Sequence, residues 1–252
     1  MTVSTEALYD GASQSWTRTQ PVLLSDYTAR PFLLDWCEPV SGLSVLDLGC
    51  GEGYFARNLQ QRGAGSILGI DLSQEMIERA REEESRVAAG IRYRTGNATD
   101  LGALDPNSFD LVVAVFLFNY LDREAMGSAM KQVARILRPG GRFVFAAPHP
   151  SLPFVRDEEP PFYFSPGSAG YFSGQDQLFE GEIHRRDGVA VPVRCVHKTL
   201  ADYFDALREA GFGSMPELEE LGVTPEMIDL DPAFFAPLAD QPLHLALRVE
   251  KV

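Results

Sequence analysis

Apolar positions follow two rhythms along this chain. Short, nearly continuous runs bounded by glycine, proline or acidic residues read as strands: SVLDL, SILGID, IRYRT, FDLVVAV and RFVFAAP. Between them the apolar residues spread to helical spacing, in the stretch from Tyr54 to about Gln61, in QEMIERAREEE, from about Arg123 to Leu137, and in TLADYFDALREAGF with Gly211 as its stop. VLLSDYTARPFLLDWCEP reads as one helix ending before Pro39, and Arg138-Pro139-Gly140-Gly141 as a sharp stop and turn. A weak strand is expected near 214–221, with Pro216 inside it, then a proline-bearing loop to about Asp240. LHLALRVEK alternates and closes the pattern as a last strand. Strands in alternation with helices predict an α/β fold, a doubly wound and mostly parallel seven-stranded sheet with helices on both faces.

The alternation lapses over 148–198, which are rich in proline, glycine and aromatics. FEGEIHRRDGVAVPVRCVH reads as a hairpin turning at Asp187-Gly188. Phe154, Phe162, Tyr163, Phe164, Tyr171 and Phe172 argue against disorder. The insertion is either a substrate lid or a segment that packs its aromatics to stay folded. The expected organisation is a helical cap over 1–39, a core of 40–147 and 199–252, and an inserted lid over 148–198.

The chain is organised around SVLDLGCGEGYF. A strand ends at Asp47-Leu48, and Gly49, Gly51 and Gly53 alternate with Cys50 and Glu52 before a helix begins. Glycines let backbone approach a ligand without a Cβ, and the helix start offers free N–H groups. Asp71 ends the second strand, 20 residues after Gly51, where an acid can accept both hydroxyls of a ribose. The alternative is a helix cap, for which Ser73 is better placed. Asn97 ends the third strand and suits an adenine edge, or a turn. Phe116 to Tyr120 and His149 follow the fourth and fifth strands. Ligands of such sheets bind beyond the carboxyl ends of the strands, and five strands place glycine or polar features at that rim.

Charge and cysteine content narrow the function. The formal charge of −14 disfavours phosphate-backbone binding. It reads as solubility or as attraction for a cationic cofactor or substrate. No apolar run approaches the ~18 residues of a membrane helix, the first residues lack a secretory pattern, and three cysteines without CxxC spacing suit a reducing compartment. Cytoplasm is the expected address, with no nucleic-acid or membrane partner and no metal.

VLDLGCGEG, GIDLS, GNATDL, FDLVVAVFLFNYL and LRPGGRFVF, in that order and spacing, resemble the class I S-adenosylmethionine-dependent methyltransferases, most closely the UbiE-type small-molecule branch. The resemblance covers roughly 40–148. It implies a Rossmann-like fold and S-adenosylmethionine as cofactor, with S-adenosylhomocysteine as product. By resemblance, Asp47, Gly49, Cys50 and Gly51 line the methionyl part, with Asp47 facing its ammonium. Asp71 holds the ribose, Leu72 and Met76 flank the adenine, and Asn97 with Ala98 holds its edge. Asn97 departs from the commoner aspartate, though its Oδ1 can still accept from the adenine amine. Phe116 contacts the methionyl group through its backbone. Tyr9 and Trp16 match N-terminal aromatics that cover the cofactor; they otherwise anchor a loose terminus.

In-line methyl transfer asks chiefly for alignment in a dry cavity, which can contribute ~7–11 kcal/mol. His149 is the first candidate for a base, or else a loop histidine between two prolines. His197 ranks second and is otherwise structural. Asn119 and Tyr120 are placed to orient the acceptor. The expected function is methyl transfer to N or O of a small, partly apolar or aromatic metabolite. A non-catalytic cofactor-binding regulator or assembly subunit is the alternative. A nicotinamide oxidoreductase is disfavoured because Tyr54 stands where GxGxxG needs its third glycine.

Overall fold

A computed structural model describes Trp16, Arg18 and residues 20–252. The strands are β1 (Ser44–Leu48), β2 (Ser66–Asp71), β3 (Arg92–Thr95), β4 (Phe109–Val115), β5 (Leu137–Pro148), β6 (Phe162–Ser165), β7 (Leu178–His184), β8 (Ala190–Val196), β9 (Glu217–Leu221) and β10 (His244–Glu250). Seven of them form one sheet in the order β3-β2-β1-β4-β5-β10-β9, and β6-β7-β8 form a second. In the large sheet β3, β2, β1, β4 and β5 are parallel. β10 lies antiparallel between β5 and β9, so it alone reverses the direction of the sheet.

Helices cover both faces. The period-2 pleat sends alternate side chains of each central strand to opposite sides. Leu46, Leu48, Val112, Ala114, Phe143 and Phe145 pack on one face against α5 (Arg123–Ile136) and α7 (Leu200–Glu209). Val45, Ile67, Leu111, Val113 and Val144 pack on the other, against α2 (Arg30–Trp36), α3 (Tyr54–Gln61) and α4 (Gln74–Val87). Side-chain oxygens cap three of these helices. Ser73 accepts from the Met76 N–H at the start of α4, Asp122 from Ala125 at α5, and Thr199 with Asp202 forms a reciprocal capping box at α7.

The structure corrects the expected elements in four places. The helix expected up to Pro39 is two helices, α1 (Ser25–Thr28) and α2, broken at Ala29, whose backbone leaves the helical region. Arg30, at that break, instead reaches back to Ser25 and Asp26. Arg138 to Gly141 is not a free turn but the bulged start of β5; Gly140 donates to the carbonyl of Lys251, and Lys251 donates to that of Gly141. The loop before Asp240 contains α8 (Pro225–Leu230) and α9 (Pro232–Phe235). The insertion holds a short helix, α6 (Leu152–Val155), and a third strand beside the predicted hairpin, β6.

That inserted sheet has its own core, in which Phe162, Phe164, Phe179, Ile183, Val191 and Val193 pack with Leu24 of the N-terminal segment and with Phe235, Leu238 and Leu243. Its hairpin turn is tied to the N-terminal segment. Leu23 bridges Arg185, the Arg186 N–H donates to the Val22 carbonyl at 2.9 Å, and the Arg186 guanidinium donates to the Tyr27 hydroxyl at 2.8 Å.

Candidate active site

A cavity of about 440 Å³ lies along the carboxyl rim of the large sheet. It runs from Asn97, beyond β3, past Asp71, Gly49 and Phe116, to Pro148 at the end of β5 and His244 at the start of β10. Because β10 is antiparallel, its first residue reaches the rim that the parallel strands reach with their last: His244 pairs with Pro148.

The glycine turn forms the floor at β1. The N–H groups of Gly49 and Cys50 both donate to the carbonyl of Ile70, at 2.7 and 3.1 Å. The turn needs glycine at Gly53, with φ +83°, where a Cβ would overlap the Tyr93 hydroxyl. At Gly51, with φ +54°, a Cβ would enter open space, so this peptide faces a cradle free of side chains. Helix α3 then starts after a glycine, with no side-chain bond from its N-cap residue, and its Ala56 N–H turns to Asp47.

Asp47 is buried beside this turn, and its Oδ2 has no hydrogen-bond partner among the described residues. Burial first, and then the nearby Asp71 carboxylate, push its pKa up from 3.8 to about 7, against the opposing pull of Arg30 and the Ala56 N–H. A buried carboxylate with a bare oxygen fits an ammonium group. Asp71 accepts from the Gly51 N–H at 2.8 Å through Oδ2 and from the Ser73 N–H at 2.9 Å through Oδ1. It is held edge-on to the cavity between Gly51 and Leu72. Ser73, not Asp71, caps α4. Leu72, Met76 and Ala98 line the same end.

Asn97 also lines the cavity, but its Oδ1 accepts from both the N–H and the hydroxyl of Thr99, each at 3.0 Å. Both lone pairs are used, so this oxygen is not free for an adenine amine as expected. The turn role and the rim position coexist, and the side-chain NH₂ is the group left to meet a base. Phe116 has φ +61°, costly for a residue with a Cβ and a mark of a constrained site. Its N–H is anchored on Ala146 at 2.9 Å.

The sequence reading missed an ionic cluster at one wall. Arg18 donates twice to Asp26, at 2.8 Å each, and once to Glu52 at 3.4 Å. Arg30 pairs with Asp26 at 3.1 Å, and Arg57 with Glu52 at 2.5 Å. Burial alone would raise the Asp26 carboxyl, but Arg30 and Arg18 outweigh it and hold it below its ordinary value. Burial, and then Arg18, lower Arg30 to about 10. Three guanidinium groups face two carboxylates, and Arg18 and Arg30 line the cavity, so an entering anion would complete the charge balance. Trp16 lines the cavity here, its carbonyl accepting from Arg18. Tyr9 lies outside the described residues. Nothing in the local pattern around Arg18 and Arg30 distinguishes them from surface arginines, because their partners come from across the chain.

The other end of the cavity is apolar. Phe162 and Phe164 of β6, Ile183 of β7 and Val193 of β8 wall it together with Phe116 and Leu117. Its polar groups are few: Tyr120, Asn119 and His244. Asn119 and His244 are both buried, and among the described residues Asn119 Oδ1 and His244 Nδ1 have no partner. His244 Nε2 lies 2.9 Å from the Thr28 hydroxyl oxygen. That hydroxyl donates its single hydrogen to the Leu24 carbonyl at 3.0 Å, so it accepts from Nε2–H. Burial first, and then the charge of Arg30, lower the His244 pKa from 6.5 to about 3. The ring is therefore neutral, with its Nδ1 lone pair bare.

His149 and His197 do not reach this cavity. His149 Nε2 donates to Glu220 at 2.7 Å, and its Nδ1 accepts from the Ser151 N–H at 3.1 Å. Both nitrogens are committed, Nε2 fastening the end of β5 to β9 and Nδ1 shaping the turn that follows β5, and burial lowers its pKa despite Glu220. His197 donates to the Tyr171 carbonyl at 2.8 Å and stacks on Phe179 at 5.3 Å. It belongs to the core of the insertion. Next to it the buried Lys198 ammonium is held by the carbonyls of Leu121, at 2.5 Å, and Val196, at 2.7 Å, which joins the inserted sheet to the Phe118–Tyr120 turn.

A 3-2-1-4-5 parallel run completed by a reversed strand, with glycines and two carboxylates at its rim, defines a Rossmann-like methyltransferase architecture. Residues 45–141 match the family described as "Methyltransferase domain". Over 123 residues the chain is 30% identical to the ubiquinone biosynthesis O-methyltransferase of Ralstonia nicotianae, covering 48% of this chain and 50% of that one. It spans about half the length of the curated relatives it matches. An S-adenosylmethionine-dependent methyltransferase of Mesorhizobium loti superposes with a TM-score of 0.65 at 28% identity, over 87% of this chain and 96% of that one. A Listeria monocytogenes structure described as an S-adenosylmethionine-dependent methyltransferase shares the fold, with a TM-score of 0.67 at 23% identity over 88% of this chain and 96% of that one. Residues 45–141 thus carry a methyltransferase domain, on a fold shared with S-adenosylmethionine-dependent methyltransferases. Among the described residues no helix is long and apolar enough to cross a membrane.

Proposed function

We propose that this protein transfers a methyl group from S-adenosylmethionine to an N or O atom of a small, largely apolar acceptor. The observation that carries the reading is the division of one cavity into two chemically different halves. The β1–β3 half presents the glycine cradle, the bare Asp47 oxygen and Asp71. The β4–β10 half presents Phe162, Phe164, Ile183 and Val193.

The first half fits the cofactor. Asp47 faces its ammonium, Arg18 or Arg30 its carboxylate, Asp71 its ribose, and Ala98, Met76 and Leu72 its base. When bound, the cofactor supplies a methyl group on a sulfonium, a good leaving group. The chain supplies position and dryness. Phe116, fixed in its strained backbone by Ala146, separates the two halves. The insertion over 148–198 acts as a lid on the acceptor half. Its hairpin clasps the N-terminal segment through Arg186, Val22 and Tyr27, so the acceptor enters when that clasp opens. The acidic chain and the enclosed apolar wall both favour a small molecule over nucleic acid.

Calorimetric titration with S-adenosylhomocysteine tests the cofactor half, with Asp71→Ala as control. A screen of labelled cofactor against phenols and amines then tests transfer. A folded protein that binds no S-adenosylhomocysteine would refute the reading. Tight binding without turnover across the screen would favour a non-catalytic cofactor binder.

A further inference from the structure

His244 stands apart from the other three histidines. His149 uses both ring nitrogens, on Glu220 and the Ser151 N–H, and His184 and His197 bond through Nε2 to Glu182 and the Tyr171 carbonyl. Among the described residues only His244 holds a buried ring nitrogen without a partner. Its ring sits between Phe116 and Phe162, at centroid distances of 5.0 and 5.8 Å, and both of those rings line the cavity. Its Nδ1 is closed off from water and has no partner among the described residues.

Leaving such a nitrogen unmatched carries its full desolvation cost, and a second cost of the same kind stands in the same cavity at Asn119 Oδ1. The Thr28 hydroxyl, by donating to Leu24, decides which nitrogen is bare. A threonine that only filled space would not hold the tautomer. The ring is also a poor place for a full positive charge, because the Arg30 guanidinium lies nearby, stacked over Phe116 at 5.3 Å. A neutral acceptor atom, walled by apolar side chains and lacking a donor, selects a ligand that brings the donor itself.

We propose that His244 Nδ1 recognises the methyl acceptor by taking a hydrogen bond from its O–H or N–H, so that the acceptor class is a compact, apolar ring compound carrying a hydroxyl or an amine. This rests on the methyltransferase reading above and deepens it. The histidine acts as a binding and specificity group and is neutral in the free protein. A site built to accept from a substrate hydroxyl discriminates strongly against the analogue that lacks it, because the buried nitrogen is then left unpaired.

Phenol and toluene have the same shape and differ in that one donor, so they serve as probes. Their dissociation constants are measured by calorimetry on wild type and on His244→Phe, each with and without saturating S-adenosylhomocysteine. We expect wild type to prefer phenol, and His244→Phe to shift the phenol-to-toluene ratio toward toluene by at least about tenfold. S-adenosylhomocysteine affinity should stay within about threefold in the variant, since His244 lies at the β10 end. A ratio unchanged by the substitution, or a wild type that takes up neither probe, overturns the assignment. Should the variant not fold, ¹⁵N spectra of the wild-type imidazole decide. An unprotonated Nδ1 that shifts with phenol and not with toluene supports it, and a protonated or unmoved Nδ1 overturns it. Failure of wild type to bind S-adenosylhomocysteine would strike the methyltransferase reading instead; the cofactor-free probe ratio would still judge His244.

Discussion

Replacing Asp47 by asparagine should make the free protein more stable and a worse cofactor binder at once. The carboxyl is buried, one oxygen has no partner, and its pKa is raised from 3.8 to about 7. The folded state therefore holds a proton that the unfolded state releases. Stability is lost as pH rises from about 4 to 7 and is flat above that. The rise from 3.8 to about 7 corresponds to a ceiling of about 4 kcal/mol, of which about 2–3 kcal/mol separates pH 5 from pH 8. Asparagine keeps an oxygen for the Ala56 N–H and removes the charge. Urea denaturation of both proteins at pH 5 and pH 8 should show the variant ahead at pH 8, by at least about 1 kcal/mol more than at pH 5. Titration with S-adenosylhomocysteine at pH 8 should show at least about tenfold weaker binding, because the pair with the ammonium is charge-assisted. A stability difference independent of pH, or a variant less stable at pH 8, would refute the reasoning. So would unchanged affinity.

Other residues give sharper contrasts. Asp71→Ala should weaken S-adenosylhomocysteine binding at least about tenfold, since it removes the ribose acceptor and frees the Gly51 and Ser73 N–H groups; calorimetry checks this. His149→Ala should leave turnover within about threefold while costing about 1–3 kcal/mol of stability, because its bonds to Glu220 and Ser151 are structural; a tenfold loss of turnover with unchanged stability would contradict this. Lys198→Met should destabilise by a similar ~1–3 kcal/mol, read by denaturation, because two buried carbonyls lose their donor. The folded-state pKa of His244 lies at about 3, below its ordinary 6.5. Its contribution to stability is thus complete above pH 6.5 and is lost as pH falls toward 3, so His244→Phe should flatten part of the acid limb of a stability–pH curve.

The cofactor half was legible because its signals are local. Strand, alternating glycines and helix follow each other within a dozen residues, and Asp71 and Asn97 sit at the ends of their own strands. The lining of the cavity by Asp47, Gly49, Cys50, Gly51, Phe116 and Tyr120 follows from that regularity. The rest depended on partners distant in sequence. Arg18 and Arg30 become part of the cavity wall only through Asp26 and Glu52. His149 sits at a strand end, where a rule about carboxyl termini points, yet Glu220 of β9 takes its ring away. His244 was hidden by the converse. It opens a strand, and openings reach the ligand rim only when the strand runs backward, which periodicity does not reveal. The insertion declared its aromatics but not their register, so which of them face the cavity emerged only with β6.

The reversed strand also orders the birth of the molecule. β9 pairs only with β10, so when it leaves the ribosome it has no sheet to join. β10 must then thread between β5 and a strand made before it, pairing over seven positions with one and five with the other. Strands β1 to β5 all precede it in the chain and pair with one another without it. A nascent chain can therefore assemble a nucleoside-holding platform early, while the apolar half waits for His244. Such long-range closure is slow, so readiness for the second ligand depends on a slower step than the nucleoside platform does.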